Sequence, residues 1–493
     1  MRHWENWVGV AGLTVLVLAL AGCAGIGNGH RLAAPTPAPE GDGDIPDRPV
    51  ITRTPASTPE MGLTGGTNVR VNQDSSGRDQ NETTFAVSPT NPLVMIGGAN
   101  DARLGHWGAG WYATSDGGNT WFDGVQTFQK YSNQGDPTLA FCGDATVVYG
   151  YLDYVGAYSS DRLVVTRSTD GGKTWLTPGV VQDTGGNPFA DKPYIACAPA
   201  GGTYGNRVYI SWTQFSMTGV SPIRVAYSTD HGQTWKNPKN VSGGGVQGSC
   251  PVAGLNGLAY VFWNGPSGIE FSKSTDGGNT WSAYKTVSSV TDIAGSNYRR
   301  NSFPSAAIDR TSGPYANYVY VAWSDARNGD DDILFSRSTD GGAHWSAPMR
   351  VNDDAQGNGR DQFFQWITVD ESGLVHLMWL DMRQDPNNTW YHVYVATSHD
   401  GGQTFDENRQ ATDVASNGAL TGFLGDYSGI GAGSGKIVPM WSDLRAGTGE
   451  EDVYVERMRR EYGADVATVG AVSRAARPRS SAARRFRPVR PRS

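Results

Sequence analysis

Apolar and polar positions recur in one order along most of the chain. A run of apolar residues, for example 304–308, is followed by a turn rich in Gly, Asn and Asp, and then by an alternating segment from Tyr318 to Trp323. Shorter segments at 333–337 and 349–351 complete the unit. Alternation with a period of two places every second side chain on one face of a strand. Each unit therefore predicts four short strands, and four-stranded units repeated radially form a β-propeller.

An eight-residue motif joins the third and fourth segments of six units. It reads Ser or Thr, any residue, Asp, Gly or His, Gly, any residue, Thr or His, and Trp or Phe, as in Ser274 to Trp281. An Asp followed by Gly favours a tight turn, because Gly accepts positive φ and Asp hydrogen-bonds nearby backbone N–H groups. The six aspartates are Asp116, Asp170, Asp230, Asp276, Asp340 and Asp400.

A seventh unit begins near Asp426 but lacks both the motif and a fourth strand. Residues 68–73 resemble the fourth strand around 349–354, and both segments are followed by Gly-Arg-Asp-Gln. We therefore predict an all-β, seven-bladed propeller over residues 67–460. Its ring is closed by the N-terminal strand 68–73 beside 452–458, which removes exposed sheet edges.

The motif resembles the Asp box, or BNR repeat, of sialidases and sialidase-like propellers. The resemblance implies that the six motif turns are structural and lie on the face opposite the active site. It also implies a glycan-related site with an arginine triad, a Tyr nucleophile with a Glu partner, and an Asp that serves as the general acid. Two features depart from sialidases: the sequence has no Arg-Ile-Pro, and sialidase propellers have six blades.

The two ends of the chain differ in composition from the repeats. Residues 1–22 are predicted to be a lipoprotein signal peptide, because an apolar run ends in a lipobox-like Leu20 to Cys23. An ordinary secretory signal is the alternative. Residues 23–66 are predicted to be a flexible tether, and the Arg-rich residues 461–493 a disordered tail. We expect an exported protein, lipid-anchored through Cys23 and facing the exterior or the periplasm.

The net charge and the cysteines indicate which partners and which cross-link to expect. The formal net charge of −8 does not indicate a nucleic-acid partner. Cys142 and Cys197 occupy similar places in consecutive units, so a disulfide between them is expected in an oxidising compartment, with Cys197 and Cys250 as the alternative pair. No cofactor is indicated. The run Asp330 to Asp332 gives a weak signal for calcium, and no metal site is predicted.

The candidate site lies on the face opposite the Asp boxes. Loops that lead into the first strand of each blade meet there with loops between second and third strands. Catalytic candidates in the leading loops are Asp79, Glu82, Asp136, Asp191, Asp426 and Tyr427.

A second motif, Asp-x-Arg, recurs in the loops between second and third strands. One interpretation is a set of salt bridges between neighbouring blades. The other is an anion-binding cluster, because guanidinium groups pair with carboxylates in a bidentate manner. The ligand-binding candidates are Arg78, Arg300, Arg327, Arg360, Arg383 and Arg445.

The sequence favours recognition of an extracellular glycan or another anionic ligand. An exo-sialidase-like glycoside hydrolase and a protein-interaction scaffold of the cell envelope are the alternatives.

Overall fold

Short antiparallel strands form almost all the regular structure of the protein. The computed structural model describes residues 63–64, 67–155, 160–184, 189–216, 220–293 and 299–460. The predicted signal peptide, Cys23, most of the predicted tether and the predicted tail 461–493 lie outside these residues. None of the helices in the described residues has the length and apolar character that crossing a membrane requires.

Six blades are each formed by four consecutive strands, preceded in the chain by two short strands. These two are β1 (Leu63–Thr64) and β2 (Val69–Arg70). Blade one contains β3 (Gln80–Val87), β4 (Met95–Asp101), β5 (Gly108–Thr114) and β6 (Phe122–Val125). Blade two contains β7 (Asn133–Phe141), β8 (Val147–Val155), β9 (Ser160–Ser168) and β10 (Gly179–Asp183). Blade three contains β11 (Phe189–Cys197), β12 (Val208–Phe215), β13 (Ile223–Ser228) and β14 (Lys236–Asn240).

The next three blades repeat this order, and a single 3-10 turn follows them. Blade four contains β15 (Gln247–Ala253), β16 (Ala259–Gly265), β17 (Gly268–Ser274) and β18 (Lys285–Ser288). Blade five contains β19 (Ser305–Ile308), β20 (Val319–Asp325), β21 (Asp332–Ser338) and β22 (Met349–Arg350). Blade six contains β23 (Gln362–Val369), β24 (Val375–Asp381), β25 (Trp390–Ser398) and β26 (Arg409–Gln410), with β27 (Ser416–Asn417) beside β25. The 3-10 turn spans Gly418–Leu420.

Blade seven combines the two ends of the described chain, as predicted. It contains β28 (Gly429–Gly433), β29 (Lys436–Asp443), β30 (Asp452–Val455) and the N-terminal strand β2. In β2, Val69 pairs with Val455 and Arg70 with Tyr454. A last strand, β31 (Met458–Arg460), pairs with β29 and carries β1 on its other edge. The seven-bladed propeller closed by residues 68–73 is thus confirmed.

The hydrophobic core lies between adjacent blades. Second strands contribute fully buried aromatic residues, including Trp323 of blade five and Trp379 of blade six. Trp379 shares one cluster with Tyr320 and Phe335 of the preceding blade. Every blade therefore covers the face of its neighbour, which explains why closure of the ring matters for burial.

The Cys142–Cys197 disulfide joins blades two and three. Cys142 follows β7, and Cys197 ends β11. Their Cα atoms are 5.0 Å apart. This is the pairing expected from the sequence, and Cys250 remains a buried free thiol.

Each Asp box is a turn held by its own aspartate. In blade four, Asp276 Oδ1 accepts hydrogen bonds from Thr280 N at 2.9 Å and Ser274 Oγ at 2.9 Å, and Asp276 Oδ2 accepts one from Thr280 Oγ1 at 2.6 Å. Gly277 and Gly278 have φ of 72° and 86°, which glycine adopts without strain. Because these turns join third to fourth strands, they lie on the face opposite the leading loops.

Candidate functional site

Five of the seven first strands carry the same irregularity where they enter the blade. Their pairing with the second strand shifts by one residue, as in a β-bulge. The shifts lie between Asn81 and Thr84, Gly135 and Thr138, Asp191 and Tyr194, Gln247 and Cys250, and Phe363 and Trp366. At each shift a residue has positive φ: Glu82 at 57°, Asp136 at 50°, Lys192 at 50°, Gly248 at 70° and Phe364 at 53°. A bulge re-aims its side chain, and three of these five residues are charged.

Lys192 is the centre at which these charged side chains meet. Its Nζ lies 2.8 Å from Glu82 Oε1 of blade one, 2.5 Å from Asp426 Oδ2 before blade seven, and 3.8 Å from Asp136 Oδ2 of blade two. Blades one, three and seven are not all neighbours, so the contacts cross the channel axis. Arg299 adds a second cation, and its Nε lies 2.8 Å from Asp426 Oδ1 while its Nη2 contacts Oδ2. We call Glu82, Asp136, Lys192, Arg299 and Asp426 the axial cluster.

Burial and neighbouring charges shift the pKa values of the carboxyl groups in the axial cluster in different directions. Burial raises the pKa of Glu82 to about 8; Lys192 opposes this rise, and Asp136 and Asp426 add to it. Burial also raises the pKa of Asp136, against the charge of Lys192 and a hydrogen bond with the Glu82 side chain. Asp426 behaves oppositely, because the charges of Arg299 and Lys192 outweigh burial and hold its pKa well below the usual range. These surroundings therefore favour the protonated form of Glu82 and the ionised form of Asp426.

Three aromatic residues pack across the axis, next to the cluster. Tyr194 of blade three lies 5.1 Å from Trp366 of blade six and 5.1 Å from Tyr427, measured between ring centroids. Lys192 Nζ lies 5.6 Å from the Tyr427 ring centroid. Tyr427 is 5% exposed, and its hydroxyl is buried without a hydrogen-bond partner. A buried hydroxyl that lacks a partner is costly, so the Tyr427 hydroxyl is available to hydrogen-bond a ligand.

Two amide side chains, Asn100 and Asn81, connect Glu82 to its neighbours through hydrogen bonds. Asn100 Nδ2 donates to Glu82 Oε2 at 2.9 Å and to Asn81 Oδ1 at 3.1 Å, while Asn100 Oδ1 accepts from Asp136 N at 2.8 Å. Asn81 Nδ2 in turn donates to Glu451 Oε2 at 2.8 Å. Burial raises the pKa of the fully buried Glu451 well above its usual range. Asn100 thus fixes the positions of both Glu82 and Asp136.

The structure brings five of the six catalytic candidates to one place. Glu82, Asp136 and Asp426 belong to the axial cluster, and Tyr427 packs beside it. Asp191 lies at its edge, where Oδ2 accepts a hydrogen bond from Gln247 Nε2 at 2.9 Å. The sixth candidate, Asp79, lies to one side, where Oδ1 accepts from Glu451 N at 3.3 Å.

Three of the six arginine candidates belong to Asp-x-Arg motifs. Each contacts the aspartate of its own motif and a group of the preceding blade. Arg383 contacts Asp381 of its own loop and Asp353 beyond the outer strand of blade five. Arg445 repeats this arrangement with Asp443 and with Asp413, which follows the outer strand of blade six. Arg327 contacts Asp325 at 2.7 Å and the backbone oxygen of Ser289 after blade four. These contacts support the interpretation of Asp-x-Arg as a clamp between blades rather than as an anion-binding cluster.

The remaining arginine candidates lie apart from the axial cluster. Arg300 is buried between Asp331 and Asp361, at 3.1 and 2.6 Å. Arg360 Nη1 donates to the backbone oxygen of Pro386, and Arg78 is exposed. Lys192 and Arg299 were not among the residues predicted from the sequence, and neither were Asn100, Trp366 and Glu451. Asn100 could have been noticed from its position directly before the first Asp-x-Arg motif.

The acidic run that suggested calcium has protein partners. Asp332 contacts Arg350 at 2.6 Å, Asp331 contacts Arg300, and Asp330 Oδ2 accepts from Gly359 N at 2.9 Å. In the part of the chain that the structure describes, no group of three or more His, Cys, Asp or Glu side chains is arranged to hold a metal ion.

Comparison with known proteins gives a repeat match and structural likenesses. The BNR/Asp-box repeat family model matches residues 226–237, which include the third Asp box. None of the curated proteins matches the chain. A protein of unknown function from Dyadobacter fermentans DSM 18053 is 12% identical, covers 81% of this chain and 100% of its own, and has a TM-score of 0.45.

Two enzymes are among the other similar structures. The Penicillium chrysogenum α-L-arabinanase complexed with arabinobiose is 12% identical, with 80% of this chain and 98% of its own covered and a TM-score of 0.44. The intramolecular trans-sialidase from Ruminococcus gnavus in complex with oseltamivir carboxylate is 14% identical, with 80% and 99% covered and a TM-score of 0.40. These likenesses are too distant to indicate an activity. The chain is a seven-bladed β-propeller with six Asp-box motifs in its sequence, one of which the repeat family model matches.

Proposed function

We propose that the protein is an exported glycoside hydrolase whose reaction takes place at the axial cluster. The observation that carries this proposal is that Glu82 and Asp426 both contact Lys192 Nζ, at 2.8 and 2.5 Å, in surroundings that raise the pKa of Glu82 and lower that of Asp426. Glycosidic bond cleavage requires one carboxylic acid and one carboxylate close together. Two acidic groups whose environments separate their pKa values are the arrangement that supplies both at neutral pH.

The proposed roles follow from exposure and contacts. Glu82, whose pKa burial raises to about 8, is the general acid that protonates the leaving-group oxygen. As that bond breaks, a water molecule adds to the anomeric carbon and gives its proton to Asp136, which is 13% exposed and returns a proton to Glu82 through the hydrogen bond between them. Asp426 remains ionised beside Lys192 and Arg299 and stabilises positive charge that develops at the anomeric carbon. The Tyr427 hydroxyl is a hydrogen-bond donor for the bound sugar.

A second candidate function is recognition without turnover. It is favoured by the near-complete burial of Glu82 and Asp426, each with a side chain 1% exposed. Arg299, at 34% side-chain exposure, is then the group that would contact an anionic glycan or an envelope protein.

The two functions are separated by turnover and binding measurements on the full chain. We expect hydrolysis of at least one member of a panel of fluorogenic glycosides that includes sialosides. Glu82→Gln and Asp426→Asn should each lower kcat by about 10²- to 10⁴-fold. The control is Asp276→Asn in an Asp box on the opposite face, which should retain activity. Glycan binding with no turnover of any glycoside would favour the second candidate, and full activity of Glu82→Gln would contradict the assigned acid.

We further propose that the protein is anchored to the bacterial membrane through Cys23. The lipobox-like segment Leu20 to Cys23 supports this proposal. Metabolic labelling with a radioactive fatty acid should mark the wild-type protein and leave Cys23→Ser unlabelled. An unlabelled wild type would favour an ordinary secretory signal.

A further inference from the structure

We infer that the axial cluster takes a glycosyl residue that carries no carboxylate. This inference specifies the substrate class of the proposed hydrolase and rests on that proposed function. It also departs from the expectation of an anionic ligand, because the charges around the axis do not suit one.

Carboxyl groups outnumber cations at the channel mouth. In the described part of the chain, Glu82, Asp136, Asp191 and Asp426 lie near two cations, Lys192 and Arg299. Four carboxyl groups therefore surround two cations, and both cations already contact carboxyl oxygens of the protein. A carboxylate on the ligand would add a like charge inside a region of low dielectric, where repulsion is strong.

Both cations are already engaged by the protein. Lys192 Nζ has carboxylate oxygens of Asp426 and Glu82 at 2.5 and 2.8 Å, and Asp136 Oδ2 lies farther away at 3.8 Å. Arg299 directs its Nε and Nη2 to the two oxygens of Asp426. The bidentate face that recognises a carboxylate is therefore occupied by Asp426.

Three arginines elsewhere on this face are engaged in the same way. Arg300 lies between two carboxylates, and so do Arg383 and Arg445. To bind a ligand carboxylate, these three side chains would have to leave their ion pairs. Removing one partner from a buried pair is strongly unfavourable.

Asp191 is the group at the edge that enforces this selectivity. Its Oδ2 is held by the neutral amide of Gln247, while burial raises the pKa of Asp191 and the charges of Lys192 and Arg299 oppose that rise. Asp191 is partly exposed, whereas Glu82 and Asp426 are buried. The substitution Asp191→Asn keeps the shape and the hydrogen bond while it removes one charge.

Matched glycan pairs test the inference directly. Each pair differs only in the carboxylate, such as sialyllactose against lactose, or uronic-acid oligosaccharides before and after reduction of their carboxyl groups. Binding is measured by calorimetry and on an array, using wild type and the slow variant Glu82→Gln. We expect at least one neutral member to bind, about tenfold or more tightly than its acidic counterpart. Asp191→Asn should narrow that ratio several-fold.

The control is Asp183→Asn, which removes the same charge from the outer strand of blade two, where Asp183 pairs with Lys130. This variant should leave the ratio unchanged. Tighter binding of the acidic member, or binding of neither member of any pair, would overturn the inference. Binding of a neutral glycan without turnover would contradict the hydrolase proposal and support the inference. Preferential hydrolysis of an acidic glycoside would support the hydrolase proposal and contradict the inference.

Discussion

Replacing Glu82 by Gln should remove a pH dependence from the stability of the protein. Gln has the shape of the protonated side chain and cannot ionise. In the folded protein the pKa of Glu82 is raised from 4.5 to about 8. Because the folded pKa is the higher one, the stability that this group contributes is fully present below pH 4.5. It is lost as the pH rises through about 8.

The magnitude follows from the interval between the two pKa values. At about 1.4 kcal/mol for each pH unit, the change from 4.5 to about 8 corresponds to about 5 kcal/mol. Asp136 shares a hydrogen bond with Glu82 and takes part in the same titration. We therefore expect a loss of about 3–5 kcal/mol between pH 5 and pH 9 in the wild type.

The assay is urea-induced unfolding at pH 5, 7 and 9 with the disulfide intact. Wild type and Glu82→Gln should be similar in free energy of unfolding at pH 5, and the variant should be about 3–5 kcal/mol more stable at pH 9. Glu407→Gln is the matched control, because Glu407 has a side chain 69% exposed. Parallel pH profiles for wild type and Glu82→Gln would refute a protonated Glu82.

Three further predictions follow from the contacts of the site and the blades. The Asn100 side chain donates to Glu82 Oε2, and this hydrogen bond favours the ionised form of Glu82. Asn100→Ala removes it and should raise the pKa of Glu82, so the alkaline limb of the pH–rate profile should move to higher pH. An unchanged profile would contradict a positioning role for Asn100. Cys142→Ser opens a cross-link with a sequence separation of 55 residues, so the free energy of unfolding should fall by about 4 kcal/mol, and reduction of the wild type should match it. Arg383→Ala leaves the buried Asp381 without its cation and should lower stability by about 2–3 kcal/mol. Glycan affinity should be unchanged in that variant, and a loss of affinity would restore the interpretation of Arg383 as a ligand contact.

The sequence predicted the ring better than it predicted the pairing of charges. The Asp boxes and the resemblance of 68–73 to 349–354 are local patterns, and local patterns determine strands, turns and the number of blades. Glu82 and Lys192 are 110 residues apart in the chain, and their contact depends on closure of the whole ring. It also depends on the one-residue bulges in the first strands of blades one and three, which no composition signal marks. The sequence therefore placed most catalytic candidates on the right face but gave Lys192 no partners.

The contacts of the Asp-x-Arg motif, in contrast to those of Lys192, could be predicted from the sequence. Its aspartate accepts a hydrogen bond from a Trp two residues earlier, as Asp381 does from Trp379 Nε1 at 2.7 Å. Its arginine then reaches the outer strand of the preceding blade. Both contacts could be anticipated from the spacing and from the repetition around the ring, since a group that recurs in several blades serves the blades rather than one ligand.

The bulges give an independent reason to regard the axial cluster as functional. Positive φ costs a non-glycine residue about 1–3 kcal/mol, and glycine removes this cost. Blade four has Gly248 at the bulge, whereas blades one, two and three have Glu82, Asp136 and Lys192 there. A ring that served only stability would favour glycine, or an apolar side chain, in place of buried charges that also require desolvation. The chain instead keeps three charged side chains in strained positions and pairs them through salt bridges between blades. In these three blades the strain and the cost of desolvation lie together beside the channel axis, where groups from several blades meet.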